Sequence, residues 1–146
     1  MPRTIATRTI IAPIDKVFKT VADINQFSSA LPYIVKVEFL SDIKYGVGSR
    51  FRETRLVNGK EVMTELSVTE LIENERIRLV AQSHGTTWDS LITVQQEEGR
   101  TLLSMTTDAK TEKLIPKVIS YMVGGKVKKA VERDIDGVKS YCEKKR

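Results

Sequence analysis

The stretch that decides the fold is residues 50–72, which read RFRETRLVNGKEVMTELSVTELI. On both sides of Asn58-Gly59 the residues fall into two alternating faces, and one face carries Phe51, Glu53 and Arg55. Such a period of two is typical of β-strands. Asn-Gly is a strong hairpin signal because a type I′ turn needs positive φ at both central positions. This stretch therefore predicts two antiparallel strands joined by a tight turn.

Segments of the same kind flank this hairpin on both sides. Strand-like runs precede it at 3–12 (RTIATRTIIA) and 33–41 (YIVKVEFLS), and follow it at 76–83 (RIRLVAQS), 86–96 (TTWDSLITVQQ) and 100–109 (RTLLSMTTDA). These runs are rich in apolar and β-branched residues, and turn signals separate the later ones. Because short turns join the neighbours, an antiparallel sheet of about seven strands is predicted, with no parallel crossover.

Two short helices are predicted between the first two strands. The first follows Pro13, which can open a helix because its missing N–H costs nothing in the first turn. Its apolar residues, such as Ile14 and Val17, recur at helical spacing. Asp23 resembles the N-cap of a second helix, which ends before Pro32.

Residues 111–146 are helical in pattern. In the second half, one stripe at 3.6-residue spacing carries Val127, Val131, Ile135, Val138 and Cys142. An apolar cluster at 114–122 falls roughly opposite this stripe on one ideal helix, so a kink or break is expected near Gly124-Gly125. The alternative is that this cluster packs on other elements or on a partner. Residues 1–146 are thus expected to form one α+β domain with the order β-α-α-β6-α.

The composition is that of an ordinary soluble domain. The chain has 146 residues, of which 40% are hydrophobic and 29% charged, and its net charge is +5. The positive excess lies at 110–146, which holds 11 basic and 5 acidic side chains. No apolar run approaches the roughly 18 residues that suggest a membrane span, and the N-terminus shows no signal-peptide pattern. A cytoplasmic protein is therefore expected.

The common kinds of catalytic and metal site are not expected. Cys142 is the only cysteine and His84 the only histidine, which excludes an internal disulfide and a cysteine-based zinc site. The sequence holds no GxSxG or HExxH spacing that would support a hydrolase centre. We therefore expect no metal site and no cofactor.

Four short motifs carry a resemblance to a known family. They are APIDKVFKTVAD (12–23), ALPYIVKVE (30–38), VGSRFRETR (47–55) and VTEL (68–71), in this order before a long last helix. Together they resemble the helix-grip superfamily of START and Bet v 1-like domains (SRPBCC). Within that superfamily they look most like the polyketide cyclase/dehydrase and lipid-transport group. The resemblance spans essentially the whole chain.

The resemblance implies a strongly curved antiparallel sheet wrapped around the long C-terminal helix, with a hydrophobic cavity between them. Cavities of this kind bind lipids, polyketides, isoprenoid-like and other apolar molecules, so binding or transport of such a ligand is the leading expectation. The alternative is a polyketide cyclase or dehydratase-type enzyme, in which Glu53 and Arg55 would carry the chemistry. A third, less favoured hypothesis is an interaction module that stimulates a chaperone ATPase.

Strand parity selects the residues expected to face this cavity. Residues that share the parity of Phe51 and its cross-strand partners point to one face of a sheet, and their neighbours point to the other. The candidate ligand-binding residues on the strands are Phe51, Glu53, Arg55, Leu66, Leu79, Trp88, Ile92 and Met105. Ile119 and Met122 are added from the last helical segment. For Trp88, a place in the plain core is the alternative.

Phe27 and Leu31 are further candidates, because the segment before the second strand borders the cavity mouth in the resembled family. They would form a gate or, alternatively, a hydrophobic staple that joins helix to sheet.

Glu53 and Arg55 stand two residues apart on the inward face, within reach of an ion pair. There they would give an apolar cavity one polar handle for a ligand, and the alternative is a solvated surface pair. A Glu53 general acid would need a raised pKa, whereas a neighbouring arginine lowers the pKa of a carboxylate. This argues against acid catalysis.

The basic residues of the last helix have three interpretations. They form a solvated face, contact anionic lipid headgroups transiently, or bind nucleic acid; the residues are Lys126, Lys128, Lys129, Arg133 and Lys139. Interleaved acidic residues and the lack of a DNA-reading motif argue against nucleic acid. The protein is expected to be a monomer or a homodimer, the latter through the apolar cluster at 114–119.

Overall fold

The computed structural model of the protein describes residues 3–83, 85–111 and 125–144. These residues form seven strands and three helices. In chain order the elements are β1 (Arg3–Ile10), α1 (Ile14–Ala22), α2 (Ile24–Ala30), β2 (Ile34–Phe39), β3 (Arg50–Val57), β4 (Lys60–Ile72), β5 (Arg76–Ser83), β6 (Thr86–Glu97), β7 (Arg100–Thr111) and α3 (Lys126–Glu143).

The seven described strands belong to one antiparallel sheet with the order β1-β7-β6-β5-β4-β3-β2. Each strand from β2 to β7 pairs with its neighbour in sequence, and β1 pairs with β7. The two helices α1 and α2 connect β1 to β2, which are the edge strands. The predicted α+β architecture, a curled sheet around the last helix, is confirmed.

The β3–β4 hairpin has the turn that its sequence predicts. The φ angle is 52° at Asn58 and 79° at Gly59, both positive as a type I′ turn requires. The strand register places residues of β4 and β5 on the same inner face as Phe51 of β3. Phe51 pairs with Leu66, and Leu66 pairs with Ala81. A register shift at 68–70 adds the local bend and twist of a β-bulge.

Both short helices begin where the sequence predicts. Pro13 is the N-cap of α1 with extended backbone angles, φ −66° and ψ 151°, so the helix begins after it at Ile14. Asp23 caps α2 as predicted, because its Oδ1 accepts a hydrogen bond from the N–H of Asn25 at 3.0 Å. α1 packs against α3 and the inner face of β5, β6 and β7, where Phe18 is almost fully buried.

α3 buries the apolar stripe predicted for it. Val127, Val131, Ile135, Val138 and Cys142 are all buried, and the helix packs against β1, β7 and both short helices. Gly125 precedes the helix with φ +74°, a left-handed conformation that an α-helix does not contain. The helix therefore starts at this glycine, and the apolar cluster expected at 114–122 lies outside the described residues.

Some strand ends differ from the predicted ones. β1 stops at Ile10, because the N–H of Ile11 donates to Glu143 Oε2 at 2.8 Å and the N–H of Ala12 bonds to the carbonyl of Ile10. β2 is shorter at both ends than the predicted 33–41. β7 continues to Thr111, where the helical pattern was expected to begin.

Candidate functional site

A cavity of about 110 Å³ lies between the inner face of the sheet and α3. Most of the side chains around it are apolar. Those from the helices are Val21, Ala22, Ile24, Phe27, Val131 and Asp134, and those from the strands are Phe51, Glu53, Arg55, Leu66, Leu79, Ser90, Ile92, Met105 and Thr107.

The three charged residues among the described lining residues form one connected group. Arg55 Nε donates to Glu53 Oε2 at 2.5 Å, along the same face of β3. Its two other nitrogens, Nη1 and Nη2, donate to the two carboxylate oxygens of Asp134 on α3 at 2.9 and 3.1 Å. Arg55 therefore joins the sheet to α3 through a bidentate pair, the strongest geometry available to a guanidinium.

Tyr33, just before β2, extends this group towards the surface. Its hydroxyl donates to Asp134 Oδ1 at 2.5 Å. The guanidinium of Arg133 lies over the Tyr33 ring, with its carbon 4.2 Å from the ring centroid, a cation–π distance. We call Tyr33, Glu53, Arg55 and Asp134 the polar cluster.

The electrostatics of Glu53 differ from the expectation. Burial raises the pKa of its carboxyl, Arg55 lowers it, and the charge of Asp134 raises it again, with a net shift upward. Arg55 lowers this pKa as predicted, but burial outweighs its effect. The reason is that Glu53 is only 6% exposed and shares its guanidinium with a second carboxylate.

Arg55 and Tyr33 keep their ordinary charge. Burial lowers the pKa of Arg55, but Asp134 and Glu53 together outweigh burial and hold that pKa above its usual value. Burial and then Asp134 raise the pKa of Tyr33. Tyr33 is therefore a neutral hydrogen-bond donor and Arg55 a cation at any physiological pH.

The two carboxylate oxygens of Glu53 differ in their hydrogen bonds to the described residues. Its Oε2 accepts from Arg55, whereas Oε1 has no hydrogen-bond partner among the described residues. A second, weaker polar spot is formed by Ser90 and Thr107, whose hydroxyls are 3.2 Å apart. The cavity thus combines apolar walls with one charged cluster and one hydroxyl pair.

The structure brings eight of the sequence-predicted residues together around the cavity. They are Phe27, Phe51, Glu53, Arg55, Leu66, Leu79, Ile92 and Met105. Seven of the eight come from strand parity alone. The eighth, Phe27, comes from the segment before β2 and lies at the cavity wall.

Two predicted residues that the structure describes, Leu31 and Trp88, are not among these walls. Leu31 is fully buried and packs with Ala30 and Ile34, which corresponds to the staple alternative rather than to a gate. Trp88 is partly buried and packs against the main core. Ile119 and Met122 lie outside the described residues.

Asp134 is the functional candidate that the sequence analysis missed. It stands three residues after Val131 and four before Val138, so it shares a helix face with two buried apolar residues. A charged residue at such a position was the available signal. The sequence also did not predict three lining residues of α1 and α2, which are Val21, Ala22 and Ile24. These helices reach the cavity because the sheet is curved, and no local sequence pattern predicts that curvature.

The basic residues of α3 lie largely on its solvent side. Lys126, Lys128, Lys129 and Arg133 are exposed. Lys139 donates to Glu143 Oε2 and to the carbonyl of Thr9, both at 2.7 Å. None of these five residues lines the cavity.

Within 3–83, 85–111 and 125–144, no group of three or more His, Cys, Asp or Glu is arranged to hold a metal ion. In the same ranges, no helix has the length and apolar character needed to cross a membrane.

Comparison with known proteins identifies the family. Residues 1–143 match the model of the family described as polyketide cyclase / dehydrase and lipid transport. The chain belongs to this family. No curated protein matches the sequence of this family member.

Solved structures share the fold of this family member. The crystal structure of TTHA0849 from Thermus thermophilus is 19% identical with a TM-score of 0.78, and 97% of each chain is covered. A START superfamily protein from Mycobacterium smegmatis is 15% identical with a TM-score of 0.75 over 98% of each chain. Ara h 8.0201 is 14% identical with a TM-score of 0.73 over 96% of each chain. These similarities show the helix-grip fold of START and Bet v 1-like proteins.

Proposed function

We propose that this family member binds or transports an apolar small molecule in the cavity between the sheet and α3, with the polar end of the molecule against the polar cluster. The observation that carries the proposal is a mostly apolar cavity whose three charged lining residues, Glu53, Arg55 and Asp134, form one hydrogen-bonded group. Such a division matches the general design of ligand sites, in which apolar walls supply affinity and a few polar groups fix orientation.

The buried charges support a binding role more strongly than a structural one. Buried ion pairs gain little stability over apolar residues of similar volume, because desolvation opposes their attraction. Among the described residues, Glu53 is the only charged side chain in the buried core, whose large members, such as Leu103, Ile77 and Ile135, are apolar and at or below 1% exposure. A polar cluster in that setting is useful mainly if a ligand uses it.

The size of the cavity favours a ligand with a short apolar part. Its volume of about 110 Å³ is below the range of about 300–1,000 Å³ that encloses drug-sized molecules. A lipid, polyketide or isoprenoid-like molecule would therefore enter with one part, or the walls would move to admit more of it.

A cavity-filling variant tests the proposal. Leu79→Trp adds volume inside the cavity, and Val80→Trp is the matched control on the opposite face of the same strand, where Val80 pairs with Ser67 and Asp89. We expect wild type and Val80→Trp to bind 1-octanol by calorimetry, and Leu79→Trp to bind at least tenfold more weakly. Equal binding by all three would show that the ligand sits elsewhere, and absence of binding to wild type would contradict the proposal.

A cyclase or dehydratase-type enzyme is the second candidate. The upward shift of the pKa of Glu53 favours it, because a general acid works best when its pKa lies close to the operating pH. Turnover of a polyketide substrate should then fall by at least tenfold in Glu53→Gln and in Arg55→Ala. Unchanged turnover in both variants would remove this candidate.

The proposal also includes the location, the oligomeric state and the partners of the protein. We expect a cytoplasmic monomer or homodimer that takes up its ligand without a nucleic-acid partner. The exposed lysines at the start of α3, Lys126, Lys128 and Lys129, would contact anionic headgroups transiently if the ligand comes from a membrane.

A further inference from the structure

Asp134 occupies the face of Arg55 that a ligand carboxylate would need. A guanidinium binds a carboxylate best through two parallel N–H donors. Nη1 and Nη2 of Arg55 already bind Asp134 in this way, and Nε binds Glu53. A guanidinium offers two edges with paired N–H donors to a carboxylate. On Arg55, at least one donor of each edge is already bonded to Asp134 or Glu53.

The charges around the cavity also oppose an anion. Among the described lining residues, two carboxylates, Glu53 and Asp134, face one guanidinium, Arg55. Arg133 lies over the ring of Tyr33 and is not part of the cavity wall. A ligand carboxylate would be a third carboxylate beside a single cation, and like charges at such distances disfavour each other.

The unused oxygen of Glu53 points to a different polar end. Oε1 has no partner among the described residues and belongs to a residue that lines the cavity. A hydroxyl group can donate to this oxygen when Glu53 is ionised and can accept from it when Glu53 is protonated. A hydroxyl therefore suits both states of the site.

We propose that Asp134 determines selectivity: because it occupies Arg55, the cavity accepts apolar molecules that end in an uncharged hydroxyl and rejects those that end in a carboxylate. This inference rests on the proposed function. Asp134 acts on the ligand through Arg55 and is a positioning and specificity residue.

Two ligands with the same eight-carbon length test the selectivity. We expect wild-type protein at pH 8 to bind 1-octanol at least tenfold more tightly than octanoate, measured by calorimetry. Octanoate binding as tight as octanol would overturn the inference and leave the proposed function standing. If neither ligand binds, the proposed function fails and the selectivity falls with it.

A charge-removing variant tests the role of Asp134 itself. Asp134→Asn keeps the shape and removes the charge that holds Arg55, so octanoate affinity should rise at least tenfold. The matched control is Asp136→Asn on the same helix, whose carboxylate pairs with Arg8 at 2.7 Å and is not part of the cavity wall; it should keep the wild-type ratio. Unchanged octanoate affinity in a folded Asp134→Asn protein would overturn the inference, and the wild-type comparison decides the selectivity even if this variant does not fold.

Discussion

Glu53 is a carboxylate with 6% of its surface exposed, on a sheet face that is mostly apolar. Burial disfavours its charged form, and Arg55 favours that form. Burial is the largest cause of the net upward shift in pKa, and the charge of Asp134, which binds the same guanidinium from a position 79 residues beyond Arg55, adds a smaller effect in the same direction. The local sequence predicts the opposite direction for the pKa, since only the neighbouring arginine is visible in it.

The raised pKa of Glu53 has a consequence for stability. Between the ordinary value of 4.5 and the raised value in the folded protein, the folded state holds a proton that the unfolded state has released. The free energy of unfolding that depends on Glu53 is therefore highest at low pH and falls as the pH rises through this window.

Glu53→Gln should remove this pH dependence. Above the window we expect the variant to be more stable than wild type, and below about pH 4.5 the difference should disappear. Urea unfolding at a series of pH values measures it. Glu65→Gln, on the exposed face of the adjacent strand, is the control. A Glu53→Gln protein that is less stable than wild type at neutral pH would show that the ion pair with Arg55 outweighs burial.

The direction of a side chain is easier to predict on a strand than beside the apolar stripe of a helix. Once Phe51 is assigned to the inner face, a period of two assigns Glu53 and Arg55 as well, and both line the cavity. On a helix, a position beside the apolar stripe can turn to the core or to solvent. Asp134 was not predicted for this reason, although its spacing from Val131 and Val138 pointed inward.

At the scale of elements, the contact between α2 and α3 depends on a glycine. A Cβ at position 137 would lie 2.4 Å from Cδ2 of Leu31 and 3.5 Å from the carbonyl oxygen of Ala30. Leu31 has no exposed surface, so it has little room to move. Gly137 therefore permits the close approach of the C-terminal end of α2 to the middle of α3.

Overpacking at this contact costs about 1–3 kcal/mol, and alanine gains roughly 1 kcal/mol over glycine in a helix. Gly137→Ala should therefore lower the free energy of unfolding by a net amount of up to about 2 kcal/mol. Chemical denaturation measures this change in the free energy of unfolding. The double variant Gly137→Ala with Leu31→Val has a smaller side chain at the contact and should recover part of the loss. Ser140→Ala on the exposed side of α3 is the control. A more stable Gly137→Ala protein would mean that Leu31 can yield.

The existence and order of the elements could be predicted, but not every boundary. Alternating sequence and the Asn58-Gly59 turn predict the strands, because these signals are local. The end of β1 depends on Glu143, whose carboxylate accepts from Ile11 across 132 positions of sequence. No local pattern contains such a bond, so the predicted strand ran two residues too far.

At the scale of the whole molecule, several charged side chains form ion pairs on the outer face of the sheet. Arg3 binds Asp108 and Arg78 binds Asp89, both at 2.8 Å. Exposed pairs of this kind contribute little to stability. The fold is held instead by the apolar core between the inner face and α3, in which Ile135 has no exposed surface.

The order of the motifs along the chain predicts the fold and the family, since both are properties of the whole sequence. The identity of the ligand is a property of one cavity, whose walls come from every described element except β1 and β2. The charge of that cavity is set by two residues of β3, Glu53 and Arg55, that meet Asp134 of α3. The contact between these residues depends on the curvature of the sheet and on the tilt of the helix. Neither can be predicted from one segment of the sequence.

The central claim is that the cavity holds the apolar part of a ligand, and nuclear Overhauser effects between protein and ¹³C-labelled 1-octanol test it most directly. We predict cross-peaks from the octanol chain to the methyl groups of Leu79, Ile92 and Met105, and none to Leu91 and Leu102 on the outer face of the sheet. Cross-peaks to the outer residues with none to the inner ones would contradict the account.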